Sequence, residues 1–280
     1  MKVAFITPGF GGSFYCQNCF RDDELLTSLL LRKYDVRKVP MYLPSGIEGN
    51  SENSNSPVFY GAINLYLREK LPFYRKAPNW MEKIFDSKPM LNYAAKKSGS
   101  TRATGLEEMT LSMLRGEDGR QASELDHLID YLKNDLKPRV VHLSNALLLG
   151  LAHRIKQEVG AGIICSLQDE HEWVDPMSPS YQDSVWNLMA EKAKDVDLFI
   201  TASQYYSQRS QEILKIPGEK IRVIHGGINL KGYEPSPIPF DPPVIGYLCR
   251  LAEYFGLEIL VDAFLKLKKD SRFKDIKLYI

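Results

Sequence analysis

VVHLSNALLLGLAHRIKQEVGAGIICSL, residues 140–167, contains two short apolar runs separated by a segment of helical length. The runs at 140–143 and 163–167 are typical of strands buried in a parallel sheet. The segment between them, residues 146–159, has the residue pattern of a helix. A strand, a helix and a second strand in this order predict two parallel strands joined by a helical crossover.

The same alternation extends in both directions along the chain. Further strand candidates are residues 3–7, 36–39, 198–201 and 221–224, and further helix candidates are residues 23–33 and 181–194. We therefore predict an α/β protein with a doubly wound parallel sheet. Ligands of such sheets bind at the carboxyl ends of the strands.

The composition limits the classes of function. The chain has 280 residues, of which 44% are hydrophobic and 25% are charged, as in ordinary globular proteins. A net charge of +1 gives no electrostatic reason to expect a nucleic-acid partner. The sequence contains no apolar run of the roughly 18 residues that a spanning helix needs. Four cysteines do not suggest a disulfide scaffold, so the cytoplasm is the expected location.

The sequence predicts two domains of unequal completeness. Residues 233–243 contain five prolines in eleven positions and indicate a stiff linker after a first domain at 1–232. Residues 244–280 have the pattern strand, loop, helix, strand, which is the opening of a second α/β domain. We expect this second domain to be truncated. Its final strand would have an open edge, so pairing in a homodimer or with a partner chain is one expected outcome.

Two segments do not fit a minimal parallel sheet. Residues 44–56 form a polar loop rich in Gly, Ser and Asn. Residues 57–97 hold eight Lys or Arg against three acidic residues, together with several aromatic residues. Such an insertion either packs its aromatic side chains on the domain or contacts a membrane surface peripherally.

A glycine-rich loop follows the first strand. Pro8 is followed by Gly9, Phe10, Gly11, Gly12 and Ser13, and a helix begins further on. Glycines allow the backbone to approach a ligand closely, and amides near a helix start favour phosphate. A dinucleotide fingerprint is incomplete because Phe14 occupies the place of its last glycine. A structural turn and a ligand-facing loop both remain open.

Cys16 and Cys19 form a C-x-x-C pair close to the glycine-rich loop. This spacing occurs in thiol redox centres and in zinc sites. The chain has no second C-x-x-C for a four-cysteine zinc site, and Cys165 and Cys249 are isolated. The alternatives are a redox pair, a metal site, and two small residues that pack under the loop.

Polar residues follow the strand candidate at 163–167. Gln168, Asp169, Glu170 and His171 come directly after it, where this fold class binds substrates. The preceding strand ends near His142 and Asn145, which we also place at the candidate cleft. The alternatives are a solvated loop for residues 168–172, a core histidine for His142, and a metal site. Neighbouring residues rarely all reach one ion, so we predict no metal site.

Several segments together resemble the N-terminal domain of family 4 of the retaining glycosyltransferases, which have the two-domain GT-B fold. These segments are residues 140–155, 196–214, 220–233 and 245–264, together with the strand and glycine loop at the start of the chain. GSFYCQNCFRD at 12–22 and LSMLRGEDGRQ at 111–121 further resemble an uncharacterised bacterial subgroup of this family.

The resemblance implies roles for particular residues. Gly11, Gly12 and Ser13 match the loop that approaches the sugar nucleotide and the acceptor. Gln168 occupies the position of a histidine that hydrogen-bonds the donor sugar, so Gln168 and Asp169 are the expected catalytic residues. Arg250 matches an arginine that binds the diphosphate, whereas Phe255 stands in the place of a lysine.

The implied activity is metal-independent transfer of a hexose, with retention, from a nucleotide-sugar donor to a saccharide or lipid-linked acceptor. An incomplete donor domain would leave this chain inactive alone. The alternatives are a non-catalytic module that binds a carbohydrate or a partner, and a thiol redox protein that uses Cys16 and Cys19.

Overall fold

The computed structural model describes residues 1–8, 17–42, 59–60, 105–235, 242–249, 251 and 255–280. These residues form two compact units, Met1–Ile228 and Asn229–Ile280. The first unit contains a six-stranded sheet in the order β2-β1-β3-β4-β5-β6, and every neighbouring pair is parallel. The predicted fold class, an α/β protein with a parallel sheet, is confirmed.

The strands of this sheet agree closely with the apolar runs of the sequence. Their bounds are β1 Lys2–Thr7, β2 Asp35–Pro40, β3 Val140–Leu143, β4 Gly162–Leu167, β5 Leu198–Thr201 and β6 Ile221–Val223. Within the part of the chain that the structure describes, the α-helices are α1 Gln17–Leu31, α2 Glu107–Leu114, α3 Ala122–Asp130, α4 Ala152–Arg154, α5 Glu170–Val174, α6 Pro179–Lys192, α7 Gln204–Leu214 and α8 Leu257–Leu267.

The strand order creates a switch point between β1 and β3. The chain moves from β1 to β2 on one side, and later returns to place β3 on the other side of β1. The helix that follows β1 and the helical segment that follows β3 lie on opposite faces of the sheet, and in such sheets a crevice forms at the switch point. The described residues that meet at this edge of the sheet belong to the first turns of α1 and to the segments after β3 and β4.

Apolar side chains cover both faces of the sheet. The larger core lies on the face that holds Ile6, Val141 and Leu143, under the helices of residues 107–214. A smaller cluster on the opposite face consists of Phe5, Leu26 and Val36, so α1 packs there. Helices on both faces are the arrangement expected for a doubly wound sheet.

Helix α1 begins earlier than its apolar pattern predicts. The leucines indicate a start at residue 23, but the helix starts at Gln17. The additional turn is polar, and its Asn18 and Arg21 donate hydrogen bonds to residues beyond β4. These long-range hydrogen bonds stabilise the first turn, and they are not part of any apolar periodicity.

The predicted helix at 146–159 forms as three successive pieces. A 3-10 turn at Ala146–Leu151 leads into α4, and a π-helical turn at Ile155–Val159 follows. The segment ends at Gly160, whose φ of +68° is a left-handed conformation that glycine adopts without strain. β4 then begins two residues later.

The segment LSMLRGEDGRQ, residues 111–121, makes close backbone contacts that require glycine. An added Cβ on Gly150 would lie 2.1 Å from the carbonyl oxygen of Met113, and one on Gly116 would lie 2.2 Å from the carbonyl oxygen of Gly150. The Ser112 hydroxyl donates to Gln121 at 2.7 Å and accepts from the amide of Arg120 at 2.8 Å. The backbone after α2 therefore packs directly against the 3-10 turn that follows β3.

The second unit contains a strand, a helix and a strand. β7 Val244–Gly246 and β8 Lys277–Tyr279 pair in parallel, with α8 between them in sequence. Ile259, Leu265 and Tyr279 are exposed. The predicted elements of residues 244–280 are therefore present. The linker and domain bounds stay predictions.

Some predicted features fall outside the described residues. The loop at 44–56 and most of the insertion at 57–97 are among them, so a membrane contact of the insertion stays a prediction. Its Phe59 and Tyr60 are described. The Phe59 ring lies 5.2 Å from that of Tyr131, and Tyr60 is buried in the larger core.

The close backbone approach at Gly150 gives the first test. We expect Gly150→Ala to lower the free energy of unfolding by roughly 1 to 3 kcal/mol, because the new methyl group would overlap the Met113 carbonyl. Gly226→Ala is the matched control, since a Cβ there meets no atom within 4 Å. Urea denaturation of both variants measures the difference, and equal stability would contradict the packing described.

Candidate functional site

A group of polar side chains lies at the carboxyl edge of the sheet, where β3 and β4 end beside the first turns of α1. We call this group the polar cluster, and its members are Asn18, Arg21, Asp22, Ser144, Gln168 and Asp169. The chain segments that supply it are up to 151 residues apart in sequence. The parallel strand order is what brings them together.

Gln168 is at the centre of the polar cluster. Its Nε2 donates to Asp22 Oδ1 at 3.1 Å and to the carbonyl oxygen of Ser144 at 2.6 Å. Its Oε1 accepts a hydrogen bond from Arg21. Both N–H groups of the side-chain amide are therefore used by the protein, and one lone pair of Oε1 has no partner among the described residues.

Asp169 lies beside Gln168 and is half-buried. It accepts a hydrogen bond from the side chain of Asn18, which also accepts from Arg21 at 3.2 Å. A second carboxylate oxygen of Asp169 has no hydrogen bond from the described residues. The predicted pair Gln168 and Asp169 is thus at the accessible edge of the sheet, and its catalytic role stays a prediction.

Asp22 is an acidic group that sequence reasoning missed. It is 4% exposed, and burial raises its pKa to about 7, although the hydrogen bond from Gln168 and the charges of Arg21 and Lys38 act in the opposite direction. Lys38 on β2 is itself buried and forms an ion pair with Asp23. Two positive and two acidic side chains therefore meet under the edge of the sheet.

Glu170 has a different position from the one predicted. It is 3% exposed, and its carboxylate accepts from the amide of Ala146 at 2.8 Å and from the amide of Gln168 at 3.0 Å. The Tyr206 hydroxyl donates to it at 2.8 Å. Burial raises the pKa of Glu170. The side chain thus joins the loops after β3 and β4 from beneath and does not face the crevice.

The side chains of the remaining predicted cleft residues also contact other residues of the protein. His142 is buried against the Phe5 ring and is 2.8 Å from Ser166 Oγ, and burial lowers its pKa to about 4. It has the surroundings of a core histidine. Asn145 caps the 3-10 turn by accepting from the amide of Leu147 at 3.1 Å. His171 Nδ1 is 3.4 Å from the Tyr206 hydroxyl.

Other predicted site residues lie outside the described residues. These are Gly11, Gly12, Ser13, Cys16 and Arg250. Cys19 is buried and disulfide-bonded, whereas Cys165 and Cys249 are free. Within the described part of the chain, no three His, Cys, Asp or Glu side chains group to hold a metal ion, and no helix is long and apolar enough to cross a membrane.

A comparison with protein families gives the site a chemical context. Residues 109–231 match the model of Glycosyltransferase Family 4. The match begins within α2, ends beyond β6 and includes Gln168, Asp169 and Glu170, while α1 lies outside it. This segment is therefore similar to a family 4 domain, which indicates glycosyl transfer in general. No curated protein matches the chain.

Residues of α1 were missed by the sequence analysis for a specific reason. Asn18, Arg21 and Asp22 have the i, i+3, i+4 spacing of one helix face. This spacing groups them only if the helix is known to start before residue 18, and the apolar pattern starts later. The glycine-rich loop and the C-x-x-C pair, at residues 9–13 and 16–19, are recognisable patterns in the same stretch, but neither identifies Asn18, Arg21 or Asp22 as site residues.

The role of the buried Glu170 carboxylate can be tested by comparing a disruptive substitution with a conservative one. We expect Glu170→Ala to lower the free energy of unfolding by about 3 kcal/mol, because buried donors on Ala146, Gln168 and Tyr206 lose their acceptor. Glu170→Gln should lower it by less than about 1 kcal/mol, since one amide oxygen can accept from both backbone amides while Tyr206 accepts from Nε2.

Urea denaturation monitored by circular dichroism measures these differences. Glu212→Ala on the exposed face of α7 is the control and should have almost no effect. Equal losses in Glu170→Ala and Glu170→Gln would contradict the hydrogen-bond arrangement.

The raised pKa of Asp22 predicts a pH-dependent stability difference. A carboxyl whose pKa is 3.8 unfolded and about 7 folded binds its proton more tightly in the folded state, so wild-type stability falls as pH rises through this range. We expect the advantage of Asp22→Asn over wild type to grow between pH 5 and 8 by about 3 kcal/mol at most.

Denaturation of wild type and variant at a series of pH values measures this difference. Asp183→Asn, at an exposed position of α6, should give a difference that is independent of pH. An equally flat result for Asp22→Asn would show that Asp22 has an ordinary pKa.

Proposed function

We propose that this chain is a retaining glycosyltransferase that uses a nucleotide-sugar donor, with residues 1–232 as its acceptor-side domain. The family 4 match over residues 109–231 supports glycosyl transfer, and the segment similarity stated above supports the retaining mechanism. The acceptor is a saccharide or a lipid-linked saccharide.

The observation that carries the proposal is the position of Gln168 inside the matched region. It lies at the carboxyl edge of a parallel sheet, next to the switch point, and is held there by Arg21, Asp22 and Ser144. In doubly wound sheets this edge is where ligands bind. Amide, carboxylate and guanidinium groups together supply the donors and acceptors that sugar hydroxyls require.

The reaction assigns each group a role. The bond between the anomeric carbon and the diphosphate oxygen breaks, and a bond to the acceptor hydroxyl oxygen forms on the same face of the sugar. The nucleoside diphosphate departs with the electron pair, and the acceptor proton leaves with it. Gln168 and Asp169 hydrogen-bond the sugar, and Arg250 stabilises the charge of the leaving diphosphate without a metal ion.

A substitution at Gln168 tests this function. Gln168→Met keeps the length of the side chain but removes its hydrogen bonds, so we expect kcat/KM for transfer to fall about ten- to a hundredfold. The assay follows release of uridine or guanosine diphosphate from glucose, mannose and galactose donors. Proton NMR of the product reports the anomeric configuration.

Gln157→Met is the matched control, because Gln157 is exposed and lies outside the polar cluster. Its kcat/KM should equal that of wild type. Product with inverted configuration would contradict the retaining mechanism, and full activity of Gln168→Met would remove Gln168 from the site.

Arg250 gives a separate test of diphosphate binding. We expect Arg250→Ala to weaken binding of uridine or guanosine diphosphate about tenfold, because one charge-assisted contact to phosphate is lost. Isothermal titration calorimetry measures the affinity. Arg272→Ala is the control, since Arg272 is exposed and paired with Asp270 at 2.7 Å. Equal affinities of both variants would contradict the role of Arg250.

A second candidate function is a binding module without transfer activity. Phe255 in place of a lysine favours it, because a phenyl ring cannot stabilise a departing diphosphate. Turnover of any nucleotide-sugar by this chain excludes the binding module, whereas donor or acceptor binding without turnover supports it.

A further inference from the structure

The side-chain amide of Gln168 has one favourable orientation. Nε2 faces two acceptors, Asp22 Oδ1 at 3.1 Å and the Ser144 carbonyl at 2.6 Å, and Oε1 faces the Arg21 guanidinium. A rotated amide would place its oxygen against the carboxylate and the carbonyl, and its N–H groups against those of Arg21. Three protein groups therefore decide which atom of the amide is offered to a ligand.

We propose that Asp22 is a positioning residue that acts through Gln168, fixing the amide so that Oε1 is the atom presented beside Arg21. Ser144 contributes a backbone carbonyl, which no side-chain substitution removes. Asp22 is thus the side chain that opposes rotation on the Nε2 side. This inference rests on the proposed function, because it concerns how the same edge of the sheet binds its ligand.

The fixed orientation selects the chemistry of the ligand. Arg21 uses Nη2 to donate to Gln168 and to Asn18, and its Nε and Nη1 donate no hydrogen bond to the described residues. A lone pair on Gln168 Oε1 and N–H groups on Arg21 that no described residue uses form an adjacent acceptor and donor. A sugar hydroxyl can donate to the first and accept from the second, whereas a phosphate oxygen can use only Arg21.

The charge environment makes the orientation depend on pH. Asp22 faces Arg21 and Asp23 from its own helix and Lys38 from β2, and across the crevice it faces the uncharged Gln168. A carboxylate is a stronger acceptor than a neutral carboxyl. Loss of the Asp22 proton near neutral pH therefore strengthens the hydrogen bond that holds Nε2, without any change in the fold.

The direct test observes the amide itself. In protein labelled with 15N-glutamine, the Gln168 side-chain pair is assigned by its absence from Gln168→Met and followed from pH 5 to 9. We expect its chemical shifts to titrate with a midpoint of about 7 in wild type and to stay constant in Asp22→Asn. Asp183→Asn, at an exposed position, should leave the titration unchanged.

Donor binding by calorimetry is the second readout. Wild-type affinity for the donor should rise about threefold between pH 6 and 8, and affinity of Asp22→Asn should be independent of pH. Asp22→Leu should bind the donor about tenfold more weakly than wild type at pH 7, whereas Asp22→Asn, which retains an acceptor oxygen, should differ less than twofold.

The outcomes separate this inference from the proposed function. A Gln168 pair whose chemical shifts are the same in wild type and Asp22→Leu at every pH, or that still titrates in Asp22→Asn, overturns the role of Asp22 even if the donor binds. If no nucleotide-sugar binds wild type, the proposed function fails, and the amide titration still decides whether Asp22 positions Gln168.

Discussion

Glu170 places one buried carboxylate between the ends of two neighbouring strands. It accepts hydrogen bonds from the backbone amides of Ala146 after β3 and Gln168 after β4, and it takes a third from Tyr206 on α7. Parallel strands leave these amides without partners at the edge of the sheet, and a buried unpaired amide is costly. The carboxylate satisfies both amides and thereby fixes the backbone on which the Gln168 side chain stands. Ser144 and Asp169 are on the same two backbone segments, and α1 contacts these segments through Asn18, Arg21 and Asp22.

Charge is distributed so that this edge stays polar without a large net charge. Lys38 and Asp23 pair under α1, while Asp22 is buried among Arg21, Lys38 and Gln168. Because burial raises the pKa of Asp22 to about 7, the cluster can hold or release one proton near neutral pH. A site with a movable proton and several fixed hydrogen bonds suits a ligand with many hydroxyl groups.

The sequence predicted most of the sheet because β1, β3, β4 and β5 are short apolar runs. Such runs are buried in a sheet whatever the order of the strands. The sequence also placed Gln168 and Asp169 correctly at a carboxyl edge, since both directly follow such a run. It could not give the partners of Gln168. Asn18, Arg21 and Asp22 are more than 140 residues away, and their contact with β4 depends on strand order, which local patterns do not contain. For His142 the sequence left a cleft residue and a core histidine open, because residue type does not show which way a side chain within β3 points; in the structure it lies against the Phe5 ring in the interior.

Hydrogen–deuterium exchange with and without a nucleotide-sugar tests the central claim most directly, namely that the carboxyl edge around Gln168 binds the donor. The account predicts slower exchange of the backbone amides at residues 144–147 and 168–171 when uridine or guanosine diphosphate sugars are present. Exchange at exposed α6 residues should not change. Donor binding that slows exchange elsewhere, and leaves these two loops as they were, would contradict the account.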